Sequence, residues 1–305
     1  MKRRSAVAVL LFLTIALATV ACSPGTGRAG AATPGTRPSP ASSKADTPPG
    51  ASASPTAASP EQSARAALDA LTEHDGRYAL AVEDLTSGRS LSYGSSSSSD
   101  AFVSASIIKV DILAALLLQA QDRGGGLTLA QQRLASAMIR YSDNDAAQEL
   151  WVDIGRRQGL NAANMRFGFS RAHASQRGMW GLTRTTIRDQ IALLKAVFTR
   201  NSPLTSESRT YVRTLMSDVI AEQGWGVGAA SSANADRVLK NGWLPRETTN
   251  LWVVNSLGLV EYRGHSLLVA VLTDDQLTRE AGISLVERTA ITAVHTLVDN
   301  SENNP

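Results

Sequence analysis

The sequence predicts an α/β fold, in which one antiparallel sheet of about five strands is flanked by terminal helices and joined to an all-helical half. Three patterns support this prediction. Two β-rich runs come before a block of helical patterns, three more come after it, and a helical pattern borders each group of strands. The two strand groups can meet in one sheet that the terminal helices cover, so the block between them forms the second half of the domain.

The first strand group follows a helix with a well-defined start. At residues 59–62 the sequence is Ser-Pro-Glu-Gln, where Ser suits the cap, Pro the first helical position, and Gln can bond back to the cap. We expect this helix to end near Gly76. The β-rich runs 78–85 and 90–93 then predict a hairpin with a turn between them.

The central block begins with an unusually apolar helix. Residues 107–121 are apolar nearly all round and are interrupted by Lys109, Asp111 and Gln119. A helix without a continuous polar face lies in the interior of a domain. Further helices are predicted at about 129–141, 144–156, 183–199 and 207–221. Residues 157–182 lack clear periodicity and predict a long loop, which in a compact domain is more often functional than idle.

The last part of the chain returns to strands. The β-rich runs are 237–240, 251–256 and 267–272, and residues 281–298 predict a closing helix. The folded domain is therefore expected to span 59–300.

The N-terminus has the pattern of a secretory signal. Basic residues 2–4 are followed by the apolar run 6–20 and then by small residues that lead to Cys22. The segment Thr19-Val20-Ala21-Cys22 resembles the lipobox of bacterial lipoproteins, although Thr19 replaces the usual aliphatic residue. The resemblance implies cleavage before Cys22, lipidation of that residue, and anchoring at the outer face of the cell membrane. The alternative is an ordinary signal peptide that is cut nearby.

Composition excludes several classes of function. Cys22 is the single cysteine, so a disulfide, a thiol nucleophile and a cysteine-rich metal site within the chain are excluded. The net charge of +3 comes from the three basic residues of the signal, and nothing else in the charge pattern points to a nucleic-acid partner. Residues 23–58 are rich in Pro, Ser, Thr and Ala, which predicts a disordered tether.

Ser106 and Lys109 form the first candidate for chemistry. A spacing of three residues places both side chains on one face at the start of the apolar helix. Free backbone N–H groups at a helix N-terminus favour an oxyanion there. A Ser hydroxyl needs a neighbouring base to become a good nucleophile. Lysine can be that base where burial or another cation favours its neutral form.

Two further triplets are ambiguous by themselves. Ser142-Asp143-Asn144 lies between two predicted helices and has the pattern of a plain helix cap. Lys240-Asn241-Gly242 ends a predicted strand, where a Lys is usually solvated and a Gly allows close approach of another backbone.

Taken together and in this order, the three motifs are far more specific. They resemble the Ser-x-x-Lys, Ser-Asp-Asn and Lys-Thr-Gly elements of the penicillin-recognising serine enzymes. The phrases 102–111, Phe-Val-Ser-Ala-Ser-Ile-Ile-Lys-Val-Asp, and 141–147, Tyr-Ser-Asp-Asn-Asp-Ala-Ala, look most like class A β-lactamases. The resemblance covers about 60–300 and implies a β-lactamase-like fold.

The resemblance implies a role for each of the catalytic residues. Ser106 would be the acylated nucleophile, and Lys109 its base or proton relay. Ser142 would pass a proton to the leaving nitrogen. Lys240 would bind the substrate carboxylate and lower the pKa of Lys109 by like charge.

The resemblance also implies a set of substrate contacts. Asn144 would hold the substrate and Lys109, while Asn241 and Gly242 belong to the third motif. The backbone N–H groups of Ser106 and Trp243 would form the oxyanion hole. No cofactor and no metal are implied, and the expected partner is a small-molecule or peptidoglycan-derived substrate.

The sequence departs from the class A pattern in three places. Asn241 stands where Thr or Ser is usual, and the segment between Ser106 and Ser142 is shorter than is typical. Class A enzymes carry a Glu in a long loop, where it activates the deacylating water, but this chain has no Glu between Glu149 and Glu207. Loss of that base would slow water attack by a factor of about 100 to 10,000.

His173 or Gln176 could replace the absent base, although a loop histidine is more often simply solvated. We therefore expect acylation of Ser106 by β-lactam-like or D-alanyl-peptide-like substrates, followed by slow deacylation. Three alternatives remain: a true β-lactamase with another deacylation route, a peptidoglycan carboxypeptidase, and a non-catalytic domain that binds cell-wall material or a protein.

Overall fold

The computed structural model describes residues 59–71, 76–94, 101–170, 174–175 and 178–302. The expected signal peptide with Cys22, the expected tether, and the loop residues His173 and Gln176 lie outside these ranges. Within them, no helix combines the length and the apolar character needed to cross a lipid bilayer.

The elements follow the predicted order of helix, strands, helical block, strands and helix. The helices are α1 (Pro60–Asp69), α2 (Ile108–Asp122), α3 (Leu129–Arg140), α4 (Asn144–Asp153), α5 (Arg156–Arg166), α6 (Ile187–Phe198), α7 (Ser206–Ser217) and α8 (Arg279–Glu302). The strands are β1 (Tyr78–Asp84), β2 (Ser90–Gly94), β3 (Phe102–Val103), β4 (Arg184–Thr185), β5 (Val238–Pro245), β6 (Trp252–Tyr262) and β7 (His265–Thr273).

Five strands form one antiparallel sheet in the order β2-β1-β7-β6-β5. The first and last strand groups therefore meet between β1 and β7, and the predicted fold class is confirmed. The short strands β3 and β4 pair separately, and they connect the segment before α2 to the segment before α6.

The sheet separates two apolar cores. Successive side chains of a strand point to opposite faces, so Leu80 and Val82 of β1 pack on one side with α1 and α8, whereas Ala79 and Ala81 pack on the other. This second side is the helical half, built around α2. The prediction that α2 is a central buried helix is confirmed, because twelve of its 15 residues are buried, Lys109 and Asp111 among them.

Helix starts agree with the capping residues of the sequence. Ser59 and Gln62 form the predicted capping box at the start of α1. The Asp143 side chain accepts a hydrogen bond from the backbone N–H of Ala146 and thereby caps α4. The predicted use of the Ser-Asp-Asn triplet as a helix start is confirmed.

Several local predictions are wrong. Helix α1 ends at Asp69 and not near Gly76, and strand β6 continues past residue 256 to Tyr262. The expected loop 157–182 begins with helix α5, whose polar sequence buries few residues (Leu160, Ala163 and Asn164) and so lacks a clear helical period. The strand at Lys240 does not end there, because β5 pairs with β6 through Pro245. Asn and Gly have a low intrinsic preference for strands, and pairing with a neighbouring strand overrides it here.

Candidate active site

Ser106 lies in a tight turn directly before the buried helix. Residues Ala105–Ile107 form one turn of 3-10 helix that leads into α2. Ala105 has a φ of 48°, a left-handed conformation that is unfavourable for a residue with a side chain. Such conformations cluster at functional sites, where the surrounding structure holds them in place.

Asn255 of β6 holds the backbone in front of this turn. Its Nδ2 donates to the carbonyl oxygens of Val103 at 2.8 Å and Ser104 at 3.0 Å, while its Oδ1 accepts from the backbone N–H of Thr273 at 2.9 Å. All of these bonds are buried, so they persist away from competing water. The sequence does not reveal the role of Asn255, because an Asn inside a strand pattern gives no sign of its partners.

Gly242 brings strand β5 against the Ser106 turn. A Cβ at this position would lie 2.6 Å from the backbone nitrogens of both Ser106 and Ile107. No real side chain tolerates such distances to backbone atoms, so glycine is required by close approach. Consequently the backbone of β5 lies next to the N–H of Ser106, which is expected to form an oxyanion hole together with the N–H of Trp243.

Lys109 is fully buried, and its amine contacts the second motif. Its Nζ donates to Ser142 O at 2.5 Å, to Ser142 Oγ at 3.0 Å and to Asn144 Oδ1 at 2.8 Å. Burial lowers the pKa of Lys109 to about 7, although the nearby Asp143 carboxylate acts in the opposite direction. A large share of this amine is therefore neutral near physiological pH.

The Ser142 hydroxyl lies between two lysine amines. It is 3.0 Å from Lys109 Nζ and 3.1 Å from Lys240 Nζ. Ser142 also has a left-handed backbone, with a φ of 56°. A hydroxyl both donates and accepts hydrogen bonds, so Ser142 can carry a proton from one amine to a group bound above it.

Lys240 is fully buried and is held by three acceptors. Besides the hydroxyl of Ser142, these are the carbonyl oxygen of Asn241 at 2.8 Å and Oε1 of Gln223 at 3.4 Å. Burial and the neighbouring Lys109 amine both lower the pKa of Lys240 well below its usual value. The expected effect of Lys240 on the pKa of Lys109 by like charge is not found. Burial is the main cause of the lowered pKa at Lys109, and the like-charge effect acts on Lys240.

The structure does not bring the Asn241 side chain to Lys240. Adjacent residues of a strand face opposite sides of the sheet, and the Asn241 amide donates to the backbone carbonyls of Gln223 at 2.9 Å and Trp225 at 2.7 Å. These bonds attach residues 223–225 to β5, which is the edge strand of the sheet. The assignment of Asn241 as a substrate contact stays a prediction, and no described contact supports it.

Two further residues, which the sequence did not reveal, lie near the lysine amines: Gln223 contacts Lys240, and Trp180 lies near Lys109. Gln223 connects the motifs, since its amide donates to Tyr141 O at 2.8 Å while its Oε1 accepts from Lys240. The Trp180 ring lies with its centroid 5.1 Å from Lys109 Nζ. An aromatic ring thus covers the amine.

These contacts define what the site can do chemically. Lys109 Nζ, the Ser142 hydroxyl and Lys240 Nζ form a hydrogen-bonded chain through which a proton can move. The half-buried Ser106 lies one helical turn before Lys109 and is the potential nucleophile. The described residues contain no group of three or more His, Asp, Glu or Cys side chains arranged to hold a metal ion.

Comparison with protein families gives one match. The model of the family described as "Beta-lactamase enzyme family" matches residues 121–297, which is more than half of the chain. The matched segment includes Ser142, Asn144 and Lys240 and begins after Ser106 and Lys109. No curated protein sequence matches the chain.

Several solved structures are similar to the domain. A structure of PBP-A has a TM-score of 0.66 at 18% identity and covers 77% of this chain and 96% of its own. A class A β-lactamase from Bacteroides cellulosilyticus DSM 14838 has a TM-score of 0.68 at 14% identity and covers 80% and 100%. A β-lactamase from Chitinophaga pinensis DSM 2588 has a TM-score of 0.63 at 16% identity and covers 77% and 98%. At these identities the likeness concerns the fold.

Proposed function

Because the chain belongs to the β-lactamase enzyme family, we propose that it is a serine hydrolase that is acylated on Ser106 by β-lactam-like or D-alanyl-peptide-like substrates and is deacylated slowly. The observation that carries the proposal is the hydroxyl of Ser142, which lies within 3.1 Å of the amines of both Lys109 and Lys240.

Acylation would follow a balanced sequence of proton transfers. Neutral Lys109 takes the proton of the Ser106 hydroxyl while Oγ forms a bond to the substrate carbonyl carbon. The carbon–nitrogen bond then breaks, and the leaving nitrogen takes the proton of the Ser142 hydroxyl. Lys109 returns its proton to Ser142 across the 3.0 Å hydrogen bond, and this restores both groups.

The carbonyl oxygen gains negative charge during this step. The N–H of Ser106 lies beside β5 at Gly242, and the N–H of Trp243 is the second expected donor. Preformed donors of this kind stabilise the transition state because they need no reorientation when the charge develops.

Slow deacylation is proposed from two observations. The chain has no Glu between Glu149 and Glu207. In addition, the ring of Trp180, which belongs to the 178–182 segment, covers the amine of Lys109. Attack by water needs a base beside the acyl-enzyme, and an apolar ring cannot accept the proton of that water. The Ser106 ester is therefore expected to persist for much longer than one acylation event.

Intact mass spectrometry tests this proposal. Wild type incubated with benzylpenicillin should gain the full mass of the drug, and the adduct should decay slowly after removal of excess drug. Ser106→Ala should gain nothing, whereas Ser217→Ala, which removes an exposed hydroxyl at the end of α7, should behave as wild type. Absence of any adduct together with absence of turnover in wild type would refute the chemistry, and rapid turnover would refute the slow deacylation.

We also propose that the protein is exported and anchored by lipid on Cys22, at the outer face of the cell membrane. This proposal is supported by the signal-like residues 1–22 and by the lack of any other cysteine in the chain. Substrates would then be met outside the cytoplasm, where cell-wall peptides and β-lactams occur.

A further inference from the structure

Strand β5 presents one face to the site along its whole length. Lys240 contacts Ser142, and Gly242 lies against the turn of Ser106. Leu244 packs with Val103, Ala105 and Leu182. These alternate residues share the face that points to the helical half, as the pleat of a strand requires.

Arg246 continues this row beyond the end of the strand. Its backbone N–H donates to Leu251 O at 2.7 Å, so the pairing of β5 with β6 extends by one more step. Arg246 therefore points to the same side as Lys240 and Gly242. It lies four residues from Gly242, about 13 Å along an extended strand, on the side away from Lys240.

Two more arginines converge next to this end of β5. The guanidinium groups of Arg77 and Arg184 both donate to the carbonyl oxygen of Ala101. Arg184 stands directly opposite Val103 in the pairing of β3 with β4. Val103 precedes Ser106 by three residues in the chain. Burial and the neighbouring Arg77 lower the pKa of Arg184, and Arg246 adds to this effect, while Asp274 opposes it. We call Arg77, Arg184 and Arg246 the arginine cluster.

The arginine cluster carries more positive charge than its described contacts neutralise. Arg77 pairs with Asp274 at 3.2 Å and also stacks on the Phe102 ring, 4.0 Å from its centroid. Within the described part of the chain, Arg184 contacts a neutral carbonyl, and the Arg246 side chain forms no ion pair. Guanidinium groups stay charged in proteins, so among the described contacts three neighbouring cations are opposed by the one carboxylate of Asp274. Their mutual repulsion falls when an anion binds.

The geometry points to a second anion-binding subsite, formed by Arg184 and Arg246, that takes a carboxylate on the acyl side of the substrate. This inference rests on the proposed function, because the role of Ser142 gives the direction of the substrate. Ser142 protonates the leaving nitrogen, so the leaving side lies at Lys240, and the acyl side extends along β5 towards Arg246. The preferred substrates are therefore acyl donors with a carboxylate roughly 10 Å from the reacting carbonyl. This distance is shorter than the roughly 13 Å between Gly242 and Arg246 along the strand, because the arginine side chain can reach back towards the carbonyl.

A pair of length-matched probes tests this subsite. The first is 6-aminopenicillanic acid acylated with adipic acid, whose side chain ends in a carboxylate. The second is the corresponding terminal primary amide, which has the same length and no charge. We measure the second-order rate of Ser106 acylation by mass spectrometry in the full-length protein, and equilibrium binding of both probes to Ser106→Ala, where no chemistry occurs.

Wild type should react about ten times faster with the acid than with the amide, since a bidentate arginine–carboxylate pair is a strong, charge-assisted contact. Arg246→Gln should lose this preference, so that it reacts with the acid no faster than with the amide. Arg188→Gln removes an equal charge from an exposed position of α6 and should keep the preference. Arg184→Gln, which also loses a bond to Ala101, serves as the second test once its melting temperature shows that it folds.

The outcomes separate the two proposals. Equal rates for acid and amide in wild type would overturn the subsite and leave the proposed function intact. Carboxylate-dependent binding to Ser106→Ala without any acylation of wild type would overturn the function and leave the subsite intact. Neither acylation nor carboxylate-dependent binding would overturn both.

Discussion

At the scale of single residues, one buried amine is the base of the proposed chemistry. Lys109 starts from an ordinary lysine pKa near 10.4, and its position in the first turn of α2 removes it from water. Loss of solvation disfavours the charged form, so the pKa falls to about 7. A base with a substantial neutral share near physiological pH fits the role proposed for it.

We predict that acylation of Ser106 depends on pH in the way this pKa requires. The neutral amine is the active form, so the second-order rate should rise about tenfold per pH unit below pH 7 and level off above it. Rapid-quench mass spectrometry with benzylpenicillin between pH 5.5 and 8.5 measures this rate. A flat profile in a protein that remains folded at each pH would contradict Lys109 as the base.

Gly242 gives a second prediction at this scale. In Gly242→Ala the new methyl would press on the backbone nitrogens of Ser106 and Ile107, so β5 or the turn must move. Because misplacement of one oxyanion donor typically costs 100-fold or more, acylation should slow by at least about 100-fold. Gly125→Ala, where an added Cβ meets nothing within 4 Å, should acylate at the normal rate. A Gly242→Ala protein with full activity would rule out the close approach.

At the scale of elements, α2 and α6 meet around a buried acid. Asp111 of α2 is 1% exposed, and neither of its carboxylate oxygens forms a hydrogen bond within the described residues. Gln190 of α6 lies beside it, and Gln190 Oε1 also lacks a hydrogen-bond partner there. A protonated Asp111 could donate to this oxygen, which would satisfy both groups.

The pKa of Asp111 makes the interface between these helices sensitive to pH. Burial raises this pKa well above its ordinary value, and the Asp189 carboxylate raises it further. The folded protein then holds a proton that the unfolded chain releases above about pH 4. Stability contributed by this site is therefore present below that pH and is lost as the pH rises towards the folded pKa.

We predict that Asp111→Asn stabilises the protein at pH 8 and has little effect near pH 4. An amide keeps a donor for Gln190 and cannot ionise. The melting temperature at pH 8 should rise by at least about 2–4 °C, the shift that 1 kcal/mol causes in a domain of this size. Differential scanning calorimetry at both pH values measures it, with the exposed Asp153→Asn as control. An equal change at both pH values would contradict a neutral buried acid.

At the scale of the whole molecule, the proposed lipid anchor would decide where the domain works. We predict that wild type expressed in a bacterial host sediments with membranes and incorporates labelled fatty acid. Cys22→Ala should lose the label and leave the membrane fraction, because the one candidate acceptor of lipid has been removed. Ser23→Ala, a neighbouring change, should remain attached. Membrane attachment of Cys22→Ala would refute anchoring through this residue.

The sequence by itself determined the fold class, the order of the elements and the three motifs of the candidate site. These features are local. Each of them, whether a hydrophobic period, a capping residue or the spacing from Ser106 to Lys109, depends on residues that are close together in the sequence. Helix α5 and the full length of β5 were not predictable in this way, because contacts with distant elements outweigh their weak local preferences.

Only the tertiary structure decided which side chains share the site. It placed the Ser142 hydroxyl between two lysines that are 131 residues apart in the chain, and it brought Trp180, Gln223 and Asn255 to the same centre. It also turned Asn241 away from Lys240, since neighbours in a strand face opposite sides. The pKa of Lys109 follows from burial, which depends on the whole packed domain, and no local pattern in a sequence determines it.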